Sequence, residues 1–130
     1  MKFAYTILYV RDVTRSIAFY EEAFGLPRRF LHESGLYGEL ETGSTTLAFA
    51  GESLAQANLP GGFQPADPAR PPAASEVGLA TADVPAAYAQ ALRAGATPVG
   101  EPRTKPWGQV VAYVRDLDGH LIELCTPMAP

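Results

Sequence analysis

The sequence predicts an α+β fold built from two consecutive βαβββ modules. A strand-like segment, an aspartate, an amphipathic helix and a glycine occur in this order twice, and three short strand-like segments follow each helix. A proline-rich segment separates the two copies. The chain has 130 residues, of which 47% are hydrophobic and 18% charged, a balance typical of a packed globular domain.

The first module begins with a strand at residues 3–10, which is rich in the aromatic and β-branched residues that favour strands. Asp12 can cap the following helix, and Gly25 can end it because glycine adopts a positive φ at little cost. Apolar residues between the two recur at helical spacing: Val13, Ile17, Tyr20 and Phe24. Three further strands are predicted at residues 26–32, 36–41 and 45–50.

The second module repeats this order. A strand at residues 76–82 leads to Asp83, which caps a helix with Pro85 in its first turn and Gly95 at its end. Strands are predicted at residues 97–101, 109–115 and 120–126, the last two joined by a hairpin turn at 116–119. Asp12 aligns with Asp83, so the two modules are interpreted as an internal duplication.

Residues 52–75 form the predicted linker between module 1 (residues 1–51) and module 2 (residues 76–130). Five prolines make regular structure improbable beyond about residue 59, whereas the segment SLAQAN is compatible with one or two helical turns. A loop of this length is either a simple connection between the modules or also a wall of a ligand cleft. Both interpretations remain open from the sequence.

The charge and cysteine content exclude several classes of function. The net charge of -4 leaves no basic surplus for a nucleic-acid backbone, so no nucleic-acid partner is expected. Cys125 is the single cysteine and cannot form an internal disulfide. No apolar run is long enough to span a membrane, so a cytoplasmic protein without a membrane partner is predicted. The sequence also contains no nucleophile motif, and catalytic residues stay unassigned.

The segments RDVTRSIAFYEEAFGL in the first module and VRDLDGHLIEL in the second resemble those of the vicinal oxygen chelate superfamily. This superfamily includes glyoxalase I, extradiol dioxygenases, and fosfomycin and bleomycin resistance proteins. The resemblance covers the whole chain apart from the linker and implies a single domain at residues 1–130. It further implies a curved, mostly antiparallel eight-stranded sheet with a central cleft, usually in a homodimer. Fold alone does not determine chemistry in such a group, because function depends on the cleft residues.

Metal-dependent members of the superfamily place one ligand on each of the first, fourth, fifth and eighth strands. The resemblance assigns these positions to Tyr5, Ala48, Val77 and Glu123. Only Glu123 is an ordinary metal ligand, and strand alternation predicts that Glu76 faces away from the expected position of Val77. The sequence therefore predicts no metal site and no cofactor. A divalent-metal-dependent lyase, isomerase or dioxygenase with atypical ligands remains the alternative.

Alternation from Glu123 also predicts which residues line the cleft. The predicted ligand-binding residues are Tyr5, Tyr9, Ala48, Val77, Leu79, Trp107, Tyr113, Leu121 and Glu123. Trp107 is the only tryptophan, and its position in a loop before the seventh strand favours stacking on a flat ligand.

Four of these residues have alternative interpretations. Val77, Leu79 and Leu121 are also compatible with a purely structural role in the core. Glu123 either accepts a proton or binds a ligand cation, or it forms an ion pair with an arginine such as Arg103 or Arg115.

The sequence as a whole predicts a metal-free small-molecule binding protein of the bleomycin-resistance type, which sequesters an aromatic or heteroaromatic ligand in an apolar cleft. A homodimer is expected because exposed sheet edges and apolar surface are commonly covered by a second copy. An accessory protein with a vestigial cleft is a further alternative.

Overall fold

The computed structural model describes residues 1–128, which contain three helices and eight strands. The elements in chain order are β1 (Tyr5–Val10), α1 (Val13–Phe24), β2 (Arg28–Leu31), β3 (Tyr37–Leu40), β4 (Thr46–Gly51), α2 (Glu52–Asn58), β5 (Val77–Ala80), α3 (Val84–Ala94), β6 (Thr97–Thr104), β7 (Val110–Arg115) and β8 (Leu121–Cys125). This order confirms the two predicted βαβββ modules, and α2 confirms the helical turns predicted in SLAQAN.

The two longer helices begin and end at the predicted residues. The side chains of Asp12 and Asp83 each accept a hydrogen bond from a main-chain N–H three residues on, at 3.1 Å. Gly25 and Gly95 end the helices in the left-handed conformation, with φ of 67° and 112°. Because these caps satisfy main-chain groups that a helix leaves unpaired, they fix where each helix starts and stops.

The chain divides into two compact units, Met1–Ala66 and Asp67–Pro130, and each contains one four-stranded mixed sheet. The strand order is β1-β4-β3-β2 in the first sheet and β5-β8-β7-β6 in the second. In both sheets the first strand pairs in parallel with the last, and the remaining pairs are antiparallel. The shared topology supports the internal duplication inferred from the sequence.

Strand β6 extends three residues beyond its predicted end at residue 101. Its pairing with β7 shifts register twice, once between Pro98 and Gly100 and once between Gly100 and Arg103. Such irregularities let a strand on the edge of a sheet accommodate prolines, which lack a main-chain N–H. The edge position explains why the strand continues past Pro102.

One face of each sheet packs against the long helix of its own unit. The buried residues of this face in the first sheet are Val10, Leu40, Leu47 and Phe49, and those in the second are Ala112, Val114, Ile122 and Leu124. Tyr20 of α1 packs on Phe49 with their ring centroids 4.8 Å apart. We call the opposite face of each sheet its distal face, because it lies away from that helix.

No helix within residues 1–128 is long and apolar enough to cross a membrane.

Candidate functional site

The distal face of the second sheet centres on Glu123 of β8. The register places Tyr113 of β7 on one side of Glu123 and Gly78 of β5 on the other. The Tyr113 hydroxyl donates a hydrogen bond to Glu123 Oε1 at 2.9 Å. A Cβ added at Gly78 would lie 3.7 Å from Glu123 Oε2, so the glycine leaves this side of the carboxylate uncrowded.

A second carboxylate, Glu76, adds negative charge to this face. Glu76 directly precedes β5 and lies two residues before Gly78, so alternation carried back from the strand gives both the same face. Burial raises the pKa of the Glu76 carboxyl, and the charge of Glu123 raises that pKa further. Burial likewise raises the pKa of the Cys125 thiol, again with a contribution from Glu123. The charge of Glu123 therefore disfavours the ionisation of two neighbouring groups on this face, Glu76 and Cys125.

Tyr113 also responds to this charge. Its hydrogen bond to Glu123, together with burial, raises the pKa of the phenol from 10.0 to about 12. The neutral phenol is the form that donates to the carboxylate, so ionisation would remove the bond and bring two negative charges together. Tyr113 is therefore a neutral donor at all physiological pH values.

We expect the stabilising contribution of Tyr113 to decrease as the pH rises from 10 to about 12. The folded-state pKa is raised, so the unfolded chain releases this proton first, and the stabilisation present below pH 10.0 is lost as pH rises through the folded value. Denaturant unfolding of the wild type and of Tyr113→Phe over this range measures the effect. The wild type should lose more stability than Tyr113→Phe, and parallel pH profiles for the two proteins would contradict the raised pKa.

The distal face of the first sheet carries three of the other predicted residues. Tyr5 is 52% exposed, Tyr9 packs its ring on Phe63 at 5.0 Å, and Ala48 is fully buried. The register pairs Tyr5 with Thr46 and Tyr9 with Ala50. These partners lie two residues before and two residues after Ala48, so the side chains of Tyr5, Tyr9 and Ala48 share this face. The complete burial of Ala48 leaves its methyl group as packing within the fold.

This first-sheet face also carries a carboxylate, but one that already has a cationic neighbour. Tyr37 donates a hydrogen bond to Glu39 Oε2 at 2.8 Å, and Arg29 Nε lies 3.8 Å from Glu39 Oε1. Burial and this hydrogen bond raise the pKa of Tyr37. Each sheet thus has a tyrosine–glutamate pair on its distal face, and in the first sheet an arginine partly balances the charge.

The predicted facing of Val77 and Leu79 is wrong. The register pairs Val77 with Ile122 and Leu79 with Leu124, so both side chains lie on the face that packs against α3. Their structural interpretation as core residues agrees with this placement. The assignment of the family's fifth-strand ligand position to Val77 is therefore one residue out of register on β5.

The prediction for Glu76 is wrong for the same reason, since this residue shares the face of Glu123. A signal in the sequence could have located it. The alignment that places Asp12 opposite Asp83, carried back along both strands without a gap, places Glu76 opposite Tyr5. Tyr5 was already assigned to the cleft face, so the repeat itself identified the corresponding position in the second module.

Arg115 does not provide an ion pair for Glu123. The buried guanidinium group donates instead to four main-chain carbonyl oxygens, at 2.6 to 3.2 Å. These carbonyls belong to Asp67, Pro68, Arg70 and Gly119. Leu121, which pairs with Arg115 across the β7–β8 ladder, lies half-buried on the distal face as predicted. Arg103 lies exposed on β6, in register with Val111.

Trp107 lies in the turn between β6 and β7 and is 62% exposed. Its indole N–H donates a hydrogen bond to Gln109 Oε1 at 2.9 Å. The polar edge of the ring is therefore satisfied, while much of its apolar surface remains in solvent. An exposed indole held at its edge is suited to stacking on a flat molecule.

The residues at the four family ligand positions do not form a suitable donor set for a divalent metal. With Glu76 in place of Val77, the set comprises two carboxylates, the phenol of Tyr5 and the methyl group of Ala48. A methyl group has no donor atom, and a phenol must lose its proton to ligate. Within the described part of the chain, no three His, Cys, Asp or Glu side chains are grouped so that they could hold a metal ion. His32 instead forms a 2.8 Å hydrogen bond with Ser34 in the β2–β3 turn.

The sequence-family model of the Glyoxalase/Bleomycin resistance protein/Dioxygenase superfamily matches residues 2–124. The chain belongs to this superfamily. Membership agrees with the strand order, the duplicated modules and the resemblance read from the sequence, and it covers a group with several different activities. No protein of curated function matches the chain.

Solved structures share this superfamily fold over nearly the whole chain. A glyoxalase-related enzyme from Fulvimarina pelagi is 21% identical, with a TM-score of 0.83, over 98% of this chain and 88% of that one. A protein of unknown function from Agrobacterium tumefaciens strain C58 is 29% identical, with a TM-score of 0.78, over 98% and 95% of the two chains. A superfamily enzyme from Burkholderia phytofirmans PsJN is 19% identical, with a TM-score of 0.77, over 98% and 100%. These likenesses establish the fold.

Proposed function

We propose that this superfamily member is a metal-independent binding protein that sequesters small aromatic or heteroaromatic molecules carrying a positive charge. The observation that carries the proposal is the pair of carboxylates, Glu76 and Glu123, on the distal face of the second sheet. Burial and the charge of Glu123 raise the pKa of the Glu76 carboxyl, and a cation bound between the two carboxylates would offset their repulsion. A ligand cation would thus be attracted by charge and held by charge-assisted hydrogen bonds.

The geometry of Glu123 suits it to this role. Its Oε1 atom accepts from Tyr113, which restrains the position of that oxygen. Gly78 leaves space beside Oε2, where an amidinium, guanidinium or ammonium group can donate. The neighbouring arginine, Arg115, is committed to main-chain carbonyls and does not compete for this position.

The aromatic part of the ligand is inferred from Trp107. Its ring is exposed within an ordered turn, and stacking on an aromatic ligand adds about 1 kcal/mol beyond simple area burial. Half-buried Leu121 and Tyr113 supply further apolar surface on the same sheet. A flat molecule with one cationic end would match both features.

We expect Glu123→Gln to weaken binding of an aromatic cation by about tenfold or more while leaving binding of a neutral analogue nearly unchanged. Glutamine keeps the shape and an acceptor but removes the charge, and hydrogen bonds to charged groups contribute about 1.5–3 kcal/mol. Isothermal titration calorimetry measures this with 4′,6-diamidino-2-phenylindole as the cation and 2-phenylindole as the neutral analogue.

Glu39→Gln is the matched control, because Glu39 also accepts from a tyrosine but already has Arg29 as a neighbour. It should leave the affinity for the cation unchanged. Equal losses of affinity in both variants would contradict a specific role for Glu123, and so would equal affinity of the wild type for the two probes.

A metal-dependent lyase, isomerase or dioxygenase is the second candidate. It is favoured by Glu76, which raises the number of carboxylates at the family ligand positions from one to two. Elemental analysis of the purified full chain distinguishes the candidates. Stoichiometric metal that survives dialysis would favour the enzyme, whereas binding of the aromatic cation by protein without metal would favour sequestration.

A further inference from the structure

Gln109 connects the exposed Trp107 ring to the end of β8. The Gln109 side chain accepts from the indole N–H at Oε1, and its Nε2 donates to the main-chain carbonyl of Thr126, both at 2.9 Å. The orientation of the amide follows from chemistry, because an indole N–H only donates and a carbonyl only accepts. Glutamine supplies the acceptor and the donor that this bridge requires.

The main chain around Gln109 is fixed independently of the bridge. The N–H of Lys105 donates to the Gln109 carbonyl at 2.7 Å, and the N–H of Gly108 donates to the Lys105 carbonyl at 2.8 Å. On the other side, the N–H of Val110 donates to Thr126 Oγ1 at 3.0 Å. The amide of Gln109 therefore projects from a rigid base, and the indole is held by one edge although 62% of the residue is exposed.

We infer that Gln109 is a positioning residue that holds the Trp107 ring in the orientation needed to stack on an aromatic ligand. This inference rests on the proposed function and extends it to a residue that does not itself contact the ligand. An unrestrained surface tryptophan loses rotamer freedom when a ligand stacks on it, which weakens binding. The hydrogen bond that the indole N–H donates to Gln109 imposes that restriction before the ligand arrives.

The position of Gln109 also constrains the shape of the ligand. Gln109 directly precedes β7 and Tyr113 lies within it, four residues later, a separation of about 13 Å at the usual rise per residue of an extended chain. Tyr113 contacts Glu123, so the indole and the carboxylate lie at opposite ends of this row. A ligand that engages both is elongated, with its aromatic part toward Trp107 and its charge toward Glu123.

Two substitutions test the bridge. Gln109→Ala removes both hydrogen bonds, whereas Gln109→Glu keeps an acceptor for the indole and loses the donor to Thr126. Gln90→Ala on α3 is the control for loss of a glutamine that lies outside this turn. Because Trp107 is the only tryptophan, time-resolved fluorescence anisotropy reports its motion directly in the full chain without a ligand.

We expect faster nanosecond depolarisation in Gln109→Ala than in the wild type or Gln90→Ala, with Gln109→Glu between them. In titration calorimetry, Gln109→Ala should bind the elongated cation 4′,6-diamidino-2-phenylindole about fivefold more weakly. Its affinity for benzamidine should be unchanged, because this short cation reaches the carboxylate end alone. If Gln109 had only a structural role, Gln109→Ala would lower the affinity for both probes.

Unchanged anisotropy in Gln109→Ala would overturn the inference, and so would an equal loss of affinity for both probes. If the wild type binds 4′,6-diamidino-2-phenylindole and Gln109→Ala binds it equally well, the inference fails while the proposed function stands. If the wild type binds neither cation, the proposed function fails and the positioning role falls with it.

Discussion

Gly119→Ala is expected to lower the free energy of unfolding by about 3 kcal/mol, whereas Gly108→Ala should lower it by only about 1 kcal/mol. Both glycines lie in turns of the second unit with positive φ, 101° and 92°. The backbone strain of an alanine is therefore similar at the two sites. The difference is what the new methyl group would meet.

A Cβ at Gly119 would lie 2.8 Å from Arg115 Nη2 and about as close to main-chain atoms of Asp67 and Pro68, at 3.1 and 3.0 Å. No heavy atom lies within 4 Å of the corresponding position at Gly108. The methyl group at Gly119 would thus displace the guanidinium group from the carbonyls to which it donates. Overpacking of a buried site is costly because the surrounding backbone must move.

Urea unfolding of the wild type and the two variants measures this difference directly. The larger loss for Gly119→Ala should be accompanied by faster proteolysis at residues 67–70 of the linker, whose carbonyls accept hydrogen bonds from Arg115. Equal destabilisation by the two substitutions would show that backbone strain alone accounts for the effect and that the Arg115 contacts contribute little.

Phe49→Ala is expected to cost about 3–5 kcal/mol of stability, the range for truncating a buried aromatic residue. Phe49 is fully buried on β4, an interior strand of the first sheet, and it packs on Tyr20 of α1. The substitution would leave a cavity between the sheet and the helix. Rigid neighbours on both sides allow little collapse to fill it.

Phe30→Ala is the control for this prediction, because Phe30 is 45% exposed on the edge strand β2. Its truncation should cost about 1 kcal/mol or less, since little apolar area returns to water. Thermal or urea unfolding compares the two variants. A similar cost for both would contradict the assignment of Phe49 to the core of the first unit.

The helices and the order of strands could be predicted from the sequence because their signals are local. Asp12 and Asp83 cap helices through hydrogen bonds to residues three positions away, and Gly25 and Gly95 end them through their own φ angles. The hairpin at residues 116–119 is likewise encoded in its own residues. Such features need no knowledge of the rest of the chain.

The candidate site was harder to predict because it depends on register. An error of one residue on β5 exchanged the two faces, so Val77 and Leu79 were assigned to the distal face and Glu76 was excluded from it. The shared face of Glu123 and Tyr113 was predicted correctly because their strands pair as a hairpin, which fixes their relative register. Short strands with a glycine, such as β5, carry too little alternation to correct such an error.

The roles of Arg115 and Gln109 could not be predicted at all. Arg115 contacts carbonyls 45 to 48 residues earlier in the chain, and Gln109 contacts Thr126 17 residues later. Main-chain carbonyls occur at every residue, so no residue type marks the partner of such a bond. Only the folded backbone brings these groups together.

The most direct test of metal-independent binding is a calorimetric titration of the full chain with 4′,6-diamidino-2-phenylindole before and after exhaustive dialysis against EDTA. We predict saturable binding with the same dissociation constant in both samples, because the proposed ligand contacts, the carboxylates and the Trp107 ring, involve no metal. Loss of binding after chelation, or no saturable binding in either sample, would contradict the account.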